Sequence, residues 1–281
     1  MAVVVFTSWP GKETGQSTSM IAISTHMAIE HNYRILDIST NFNDRSIENA
    51  FWNEEKQKAL VGQLMRGNRR EANFDQGVEG LMKVIKSNRV TSNIVADYTK
   101  VVFRERFDVL GTFNTSSYKD YCIYAQGYPQ IIDLAGKDYD LVFVDLSKYM
   151  PQDLRLQILA NADIVILNIA QRQKDLDKIL DLRQKDKFWA QNKIMFNIGR
   201  YDKFSKFNAK NVSRYLNEKR GVMCVPYNTL YFEAASEALT ADYFIKLKGL
   251  DPADRNSAFT KELSADAQKI IYKAQELQLR I

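Results

Sequence analysis

The feature that most constrains this chain is a short apolar run that recurs without polar alternation. Each copy is followed by a turn and a longer periodic stretch. The runs fall at residues 2–6, 33–38, 107–111, 141–146, 164–168, 193–197 and 221–226. Val, Ile and Leu in unbroken sequence mark a strand covered on both faces, because neither side of it meets water. A sheet of such strands needs helices on both faces. The intervening stretches at 17–31, 154–161, 174–187, 209–219 and 230–239 have the length and periodicity to supply them. The pattern predicts an α/β fold with a mostly parallel central sheet and helices on both faces.

The chain has 281 residues, and its strands and helices follow one another without a Pro/Gly linker or an internal repeat. That organisation predicts a single domain over residues 1–281. Residues 45–100 depart from it, being polar and without a strand core, and read as a helical insertion. Val78, Leu81, Met82 and Ile85 mark one helix face there. Residues 264–281 form a further helix, with Ala267, Ile270, Ile271, Ala274, Leu277 and Ile281 on one side. Its opposite face mixes Lys269, Lys273, Glu276 and Arg280, so packing on the protein's own sheet is favoured over membrane attachment. The formal net charge of +5 reads as a solvated basic surface, with DNA binding as a minor alternative. Cys122 and Cys224 stand far apart and outside any metal-binding spacing, as in a protein that keeps its thiols reduced. The N-terminal apolar run has no basic segment before it and is too short for a membrane span, so a cytoplasmic location is expected.

The first strand runs into Thr7-Ser8-Trp9-Pro10-Gly11-Lys12-Glu13-Thr14-Gly15-Gln16-Ser17-Thr18, and a helix opens near Ser17. Strand, glycine-containing loop and helix is the context of a phosphate loop. There, backbone N–H groups and the helix dipole cradle phosphate oxygens, and a hydroxyl at the helix start can ligate Mg²⁺. The consensus G-x-x-x-x-G-K-S/T is met only in part. Pro10 stands for the first glycine and Gln16 for the lysine, while Gly15 and Ser17 are kept. On these residues alone a phosphate loop and an ordinary strand–helix turn remain open. Gly15 can serve a tight turn and Ser17 an N-cap.

The chain resembles the MinD/ParA superfamily of P-loop ATPases, and within it the CpaE/TadZ branch, whose loops often read P-x-G-G-x-G-x-S-T. Pro10, Gly15, Ser17 and Thr18 match that form, with Lys12 and Glu13 where the branch has two glycines. The family's signature lysine falls at Gly11, one place before Lys12. Ile35-Leu36-Asp37-Ile38-Ser39 resembles the V-D-x-D strand end, Asp37 matching the first carboxylate and Ser39 replacing the second. Residues 140–146 resemble the Walker B strand that ends on Asp145. Met195-Phe196-Asn197 and Val225-Pro226-Tyr227 resemble the two segments that border adenine.

The resemblance implies ATP and Mg²⁺ as ligands. Gly11, Lys12, Glu13, Thr14, Gly15, Gln16, Ser17 and Thr18 would follow the phosphates. Asn197 and Pro226 would border the base, Ser17 and Asp145 would hold Mg²⁺, and Lys12 and Asp37 would take the catalytic places. It further implies a nucleotide-dependent homodimer that positions a pilus or secretion machine, or DNA, through a protein partner. Gln16 and Ser39 replace groups that assist hydrolysis, so ATP turnover would be slow. A weak or inactive pseudo-ATPase scaffold is the alternative. Among the other residues, Asn197 reads equally as a turn former before Gly199, and His26 and His31 read as structural or exposed. The tyrosines at 118, 121, 124 and 128 read as packing.

Overall fold

The computed structural model describes residues 1–9, 13–53, 77–87, 93–113, 115–251 and 253–278. Its strands are β1 (Ala2–Ser8), β2 (Ile35–Ser39), β3 (Lys100–Phe103), β4 (Phe107–Leu110), β5 (Leu141–Asp145), β6 (Ile164–Ile169), β7 (Ile194–Tyr201) and β8 (Met223–Pro226). The helices are α1 (Gln16–Glu30), α2 (Ser46–Phe51), α3 (Gly77–Lys86), α4 (Tyr118–Ala125), α5 (Tyr128–Ala135) and α6 (Gln152–Asn161). They continue with α7 (Gln173–Lys185), α8 (Ala209–Tyr215), α9 (Thr229–Ser236), α10 (Thr240–Leu247) and α11 (Ser257–Gln278).

The strands form one sheet in the order β3-β4-β2-β5-β1-β6-β7-β8. Every pairing is parallel except β3 with β4, which is antiparallel. Val3 and Val5 of β1 face one core layer, and Ala2, Val4 and Phe6 face the other. Full burial of such a side chain stabilises by about 1.5–3 kcal/mol. Strand propensities differ among residues by only ~1 kcal/mol. Burial on two faces therefore sets these strands, which is why unalternating runs located them.

The chain leaves β1 toward the β2 edge and leaves the adjacent β5 toward the β8 edge. A crevice opens at the carboxyl ends where connections diverge in this way. Parallel register aligns Phe6 with Asp145 and Ser39 with Asp145. Side chains alternate along each strand, so Ser8, Asp37, Ser39 and Asp145 all project to the face covered by α1.

Several elements depart from the sequence-based expectation. The polar stretch after residue 45 ends in a strand: β3 begins at Lys100 and pairs with β4 at the sheet edge. Its apolar part is only the three residues Val101-Val102-Phe103, just past that stretch, and Val101 is 56% exposed, so the run is shorter than those that mark the inner strands. Within that stretch α2 and α3 are helical, and residues 54–76 and 88–92 lie outside the described residues. The helices α4, α5 and α10 fall between the anticipated elements. The C-terminal helix opens at Ser257, ahead of the expected 264.

α11 packs Ala267, Ile270 and Ala274 into the core, as the apolar stripe predicted, and adds Leu263 from the turns before it, while Ile281 lies outside the described residues. It also covers the edge strand β8. The Cys224 N–H donates to Asp266 Oδ2 at 2.9 Å, and Lys269 Nζ donates to the Val222 carbonyl at 2.8 Å. No helix among the described residues is long and apolar enough to cross a membrane.

Candidate functional site at the β1–α1 turn

α1 starts directly after Gly15, whose φ of 71° lies in the left-handed region that glycine enters at no steric cost. Glu13, also left-handed at φ 64°, precedes it. No acidic side chain occupies the first turn of α1, which leaves its positive dipole end unopposed from within the helix. The loop lies against β7. A Cβ added at Gly199 would overlap the Thr14 carbonyl oxygen and stand 2.9 Å from Ser19 Oγ. Glycine at 199 is what lets the two backbones approach.

Asp145 is the centre of the site. It ends β5 and is 0% exposed. Its Oδ1 accepts from Gln16 Nε2 at 2.5 Å, and its Oδ2 accepts from Ser17 Oγ and Asn41 Nδ2, both at 2.6 Å. Gln16 Nε2 also donates to the Leu146 carbonyl, and Gln16 Oε1 accepts from Ser8 Oγ at 2.7 Å. Ser8 in turn shares a 2.6 Å hydrogen bond with Thr14 Oγ1. Thr40 Oγ1 donates to the Asp145 carbonyl and accepts the Ser147 N–H, which ties the end of β2 to the end of β5. All three donors to the Asp145 carboxylate are neutral. Burial pushes its proton affinity above the ordinary aspartate range, and the bonds from Ser17, Gln16 and Asn41 oppose that shift. Among the described residues no cation forms an ion pair with it.

The other expected residues fall around this centre or beneath it. Gln16, Ser17 and Thr18 form the half-buried first turn of α1, where the Thr18 carbonyl accepts from Tyr231 Oη at 2.7 Å. Glu13 is exposed and Thr14 is buried. Pro10, Gly11 and Lys12 lie outside the described residues. Asp37 is drawn under α1: its Oδ2 accepts from Ser24 Oγ at 2.7 Å, and its buried Oδ1 has no partner. Burial raises its proton affinity well above the ordinary range, and the neighbouring Asp145 charge adds to that. Asn197 is likewise 0% exposed, donates through Nδ2 to Asn168 Oδ1 at 2.7 Å, and keeps an unpartnered Oδ1. Pro226 ends β8 opposite Tyr201 of β7.

Sequence reasoning passed over Ser8, Asn41, Asn168 and Gly199. A simple signal marks three of the inner strands: β1 and β2 end on Ser8 and Ser39, and β6 carries Asn168 one residue before its end, polar residues at the close of apolar runs. Volume points elsewhere. A cavity of about 1030 Å³ opens at the other end of the sheet, lined by Tyr33, Met195, Met223 and Tyr272 among others. The buried polar side chains Thr14, Ser19, Asp37, Ser39, Thr40 and Asp145 lie instead around the β1–α1 turn.

No protein-family model matches the chain, and none of the curated proteins does. Solved structures do. A ParA family ATPase from Chlorobium tepidum superposes with a TM-score of 0.67 at 13% identity, covering 95% of this chain and 98% of that one. The chain has the ParA/MinD fold. The septum site-determining protein MinD of Pyrococcus horikoshii, complexed with Mg-ADP, superposes at 0.60 with 14% identity over 96% of this chain and 97% of its own. A plasmid partition protein from Borrelia burgdorferi, bound to AMPPNP, superposes at 0.54 with 16% identity over 99% and 98% of the two chains. At these identities the likeness is one of fold, and the ParA/MinD frame puts the β1–α1 turn where P-loop proteins carry their phosphate loop.

Proposed function

We propose that the chain binds ATP with Mg²⁺ at the β1–α1 turn and acts as a cytoplasmic, nucleotide-switched positioning protein. The observation that carries this reading is the pair Ser17 Oγ and Asp145 Oδ2, 2.6 Å apart at the start of α1, with a wholly buried carboxylate that meets only neutral donors among the described residues. A hydroxyl and a carboxylate at a helix N-terminus suit an octahedral, oxygen-seeking cation. Ser17 and Asp145 would hold Mg²⁺, which when bound supplies charge against the phosphates. Residues 11–18 would follow the polyphosphate, and Asn197 Oδ1 is a free acceptor for an exocyclic amine. The Mg-ADP bound to the Pyrococcus protein and the AMPPNP bound to the Borrelia protein support the ligand class. A nucleotide-dependent homodimer, with Lys12 reaching across its interface, and a protein partner in a pilus, secretion or partition system complete the reading.

A second reading has its own observation. Gln16 stands in the lysine place, and its amide is held at both ends by Ser8 and Asp145. A neutral, internally bonded side chain gives a phosphoryl group little stabilisation as charge develops. That favours slow turnover, and at its limit a scaffold that binds nucleotide without hydrolysing it. Asp145→Ala tests the shared premise. It should weaken Mg·ATP by at least about tenfold, ~1.4 kcal/mol, and leave metal-free ATP nearly unchanged in calorimetry. Equal loss of both, or no ATP binding by the wild type, refutes the metal site.

A further inference from the structure

We infer that Arg200 is a phosphate-binding residue that supplies, from the end of β7, the positive charge missing at Gln16. The inference rests on the nucleotide reading above and concerns which side chain meets the polyphosphate.

Five observations converge on Arg200. Its Cγ lies 3.4 Å, and its backbone nitrogen 3.6 Å, from where a Cβ on Gly15 would stand, so the side chain runs alongside the loop glycine. The guanidinium sits a few bonds beyond Cγ and is exposed. Among the described residues the Arg200 side chain has neither an ion pair nor a hydrogen bond, so its planar fork of donors is not committed to any of them. Its backbone is left-handed at φ 54°, a conformation that costs a non-glycine residue on the order of 1 kcal/mol. The β7–β8 register shifts between Gly199 and Tyr201 to accommodate it.

The local balance of charge gives this arrangement a purpose. An ATP polyphosphate brings several negative charges to the turn. The helix dipole answers with roughly half a charge. Gln16 adds none, because its amide is neutral, and that amide is already bonded to Ser8 and Asp145. Ser19 Oγ, 1% exposed and without a partner, sits between the loop and Gly199 and adds a second uncommitted polar atom beneath the turn. Arginine is the side chain suited to the task, because its fork matches phosphate oxygens two at a time. The bulge holds the side chain at the loop, and Gly199 keeps the gap between them narrow.

Calorimetry on the full chain tests this with Mg·ATP, and ligand-detected NMR with adenosine. Arg200→Ala should weaken Mg·ATP by at least about tenfold and leave adenosine binding unchanged. The salt dependence of Mg·ATP binding should become shallower. Arg200→Lys should recover part of the loss, since it keeps the charge without the fork. Glycine suits the left-handed backbone, so Arg200→Gly removes the charge without risk to the fold, and it should lose Mg·ATP as the alanine variant does. Lys178→Ala, an exposed lysine on α7, controls for overall charge and should bind as wild type. If the alanine and glycine variants bind Mg·ATP as the Lys178 control does, or lose adenosine in equal proportion, the role of Arg200 is overturned while the nucleotide reading stands. A wild-type chain that binds no ATP overturns both.

Discussion

Asp37 and Asp145 project to the same face of neighbouring strands, yet their surroundings treat them differently. Asp145 receives three hydrogen bonds, whereas Asp37 receives one and keeps a buried oxygen with no partner. Burial therefore acts on Asp37 with little opposition and holds its proton well beyond the ordinary range. The sign of the consequence is fixed by linkage. Above the ordinary aspartate value of about 4, the unfolded chain releases this proton while the folded chain keeps it. Folding then favours the protonated form, and stability falls as pH rises from that value toward the raised folded one. Asp37→Asn keeps an oxygen for Ser24 and removes the titration. It should match wild type near pH 4 and exceed it increasingly toward pH 8, by on the order of 1–2 kcal/mol, as read from urea midpoints. Stability curves that stay parallel across that window would show that Asp37 is ionised in the folded chain. In the sequence both read as carboxylates at strand ends, with function favoured for Asp145 and left open for Asp37. What separates them comes from Ser24 two turns into α1 and from Asn41 beyond β2, contacts that exist only after the elements have packed.

At the scale of elements, β7 and the α1 loop fit because residue 199 has no side chain. Gly199→Ala would drive a methyl into the Thr14 carbonyl, which is backbone and cannot rotate away. The loop must then lift from β7. Nucleotide affinity should fall by about tenfold or more, while the thermal midpoint drops by only a few degrees, as for a 1 kcal/mol change in a chain of this size. Unaltered affinity in calorimetry would mean that the loop is not seated by β7 when ligand is bound. The helices α4 and α5 show a second kind of fit. Tyr121 Oη donates to the Thr40 carbonyl at 2.7 Å and Tyr128 Oη to the Ser39 carbonyl at 3.0 Å, fastening both helices to the carboxyl end of β2. The tyrosines were legible as packing residues, and both are fully buried. The helices carrying them were not, because polar residues separate the few that turn inward. Inner strands needed no such help, since burial on two faces wrote them as continuous apolar runs. The edge strand β3, covered on fewer sides, carried no comparable mark.

For the molecule as a whole, a formal charge of +5 opposes the approach of two copies. Bound polyphosphate at the β1–α1 turn would reduce that charge where two turns face each other. Mg·ATP should therefore move the chain from monomer toward a two-fold dimer in sedimentation velocity, and the shift should vanish with Asp145→Ala. A monomer in both conditions, well above the nucleotide affinity, would leave a monomeric binding module. The overall architecture was the most legible level, because a mostly parallel sheet with helices on both faces follows from strands buried on two sides, and the missed edge strand and helices do not alter it. The cover over β8 has a consequence for how the chain is made. Asp266 and Lys269 occupy hydrogen-bonding groups on the outer rim of the sheet, and both belong to a helix that follows β8 in the chain. A ribosome delivers β8 first. Until α11 emerges and docks, the growing polypeptide carries an uncovered strand edge, so the interval between those two segments is when mispairing with another strand is least opposed.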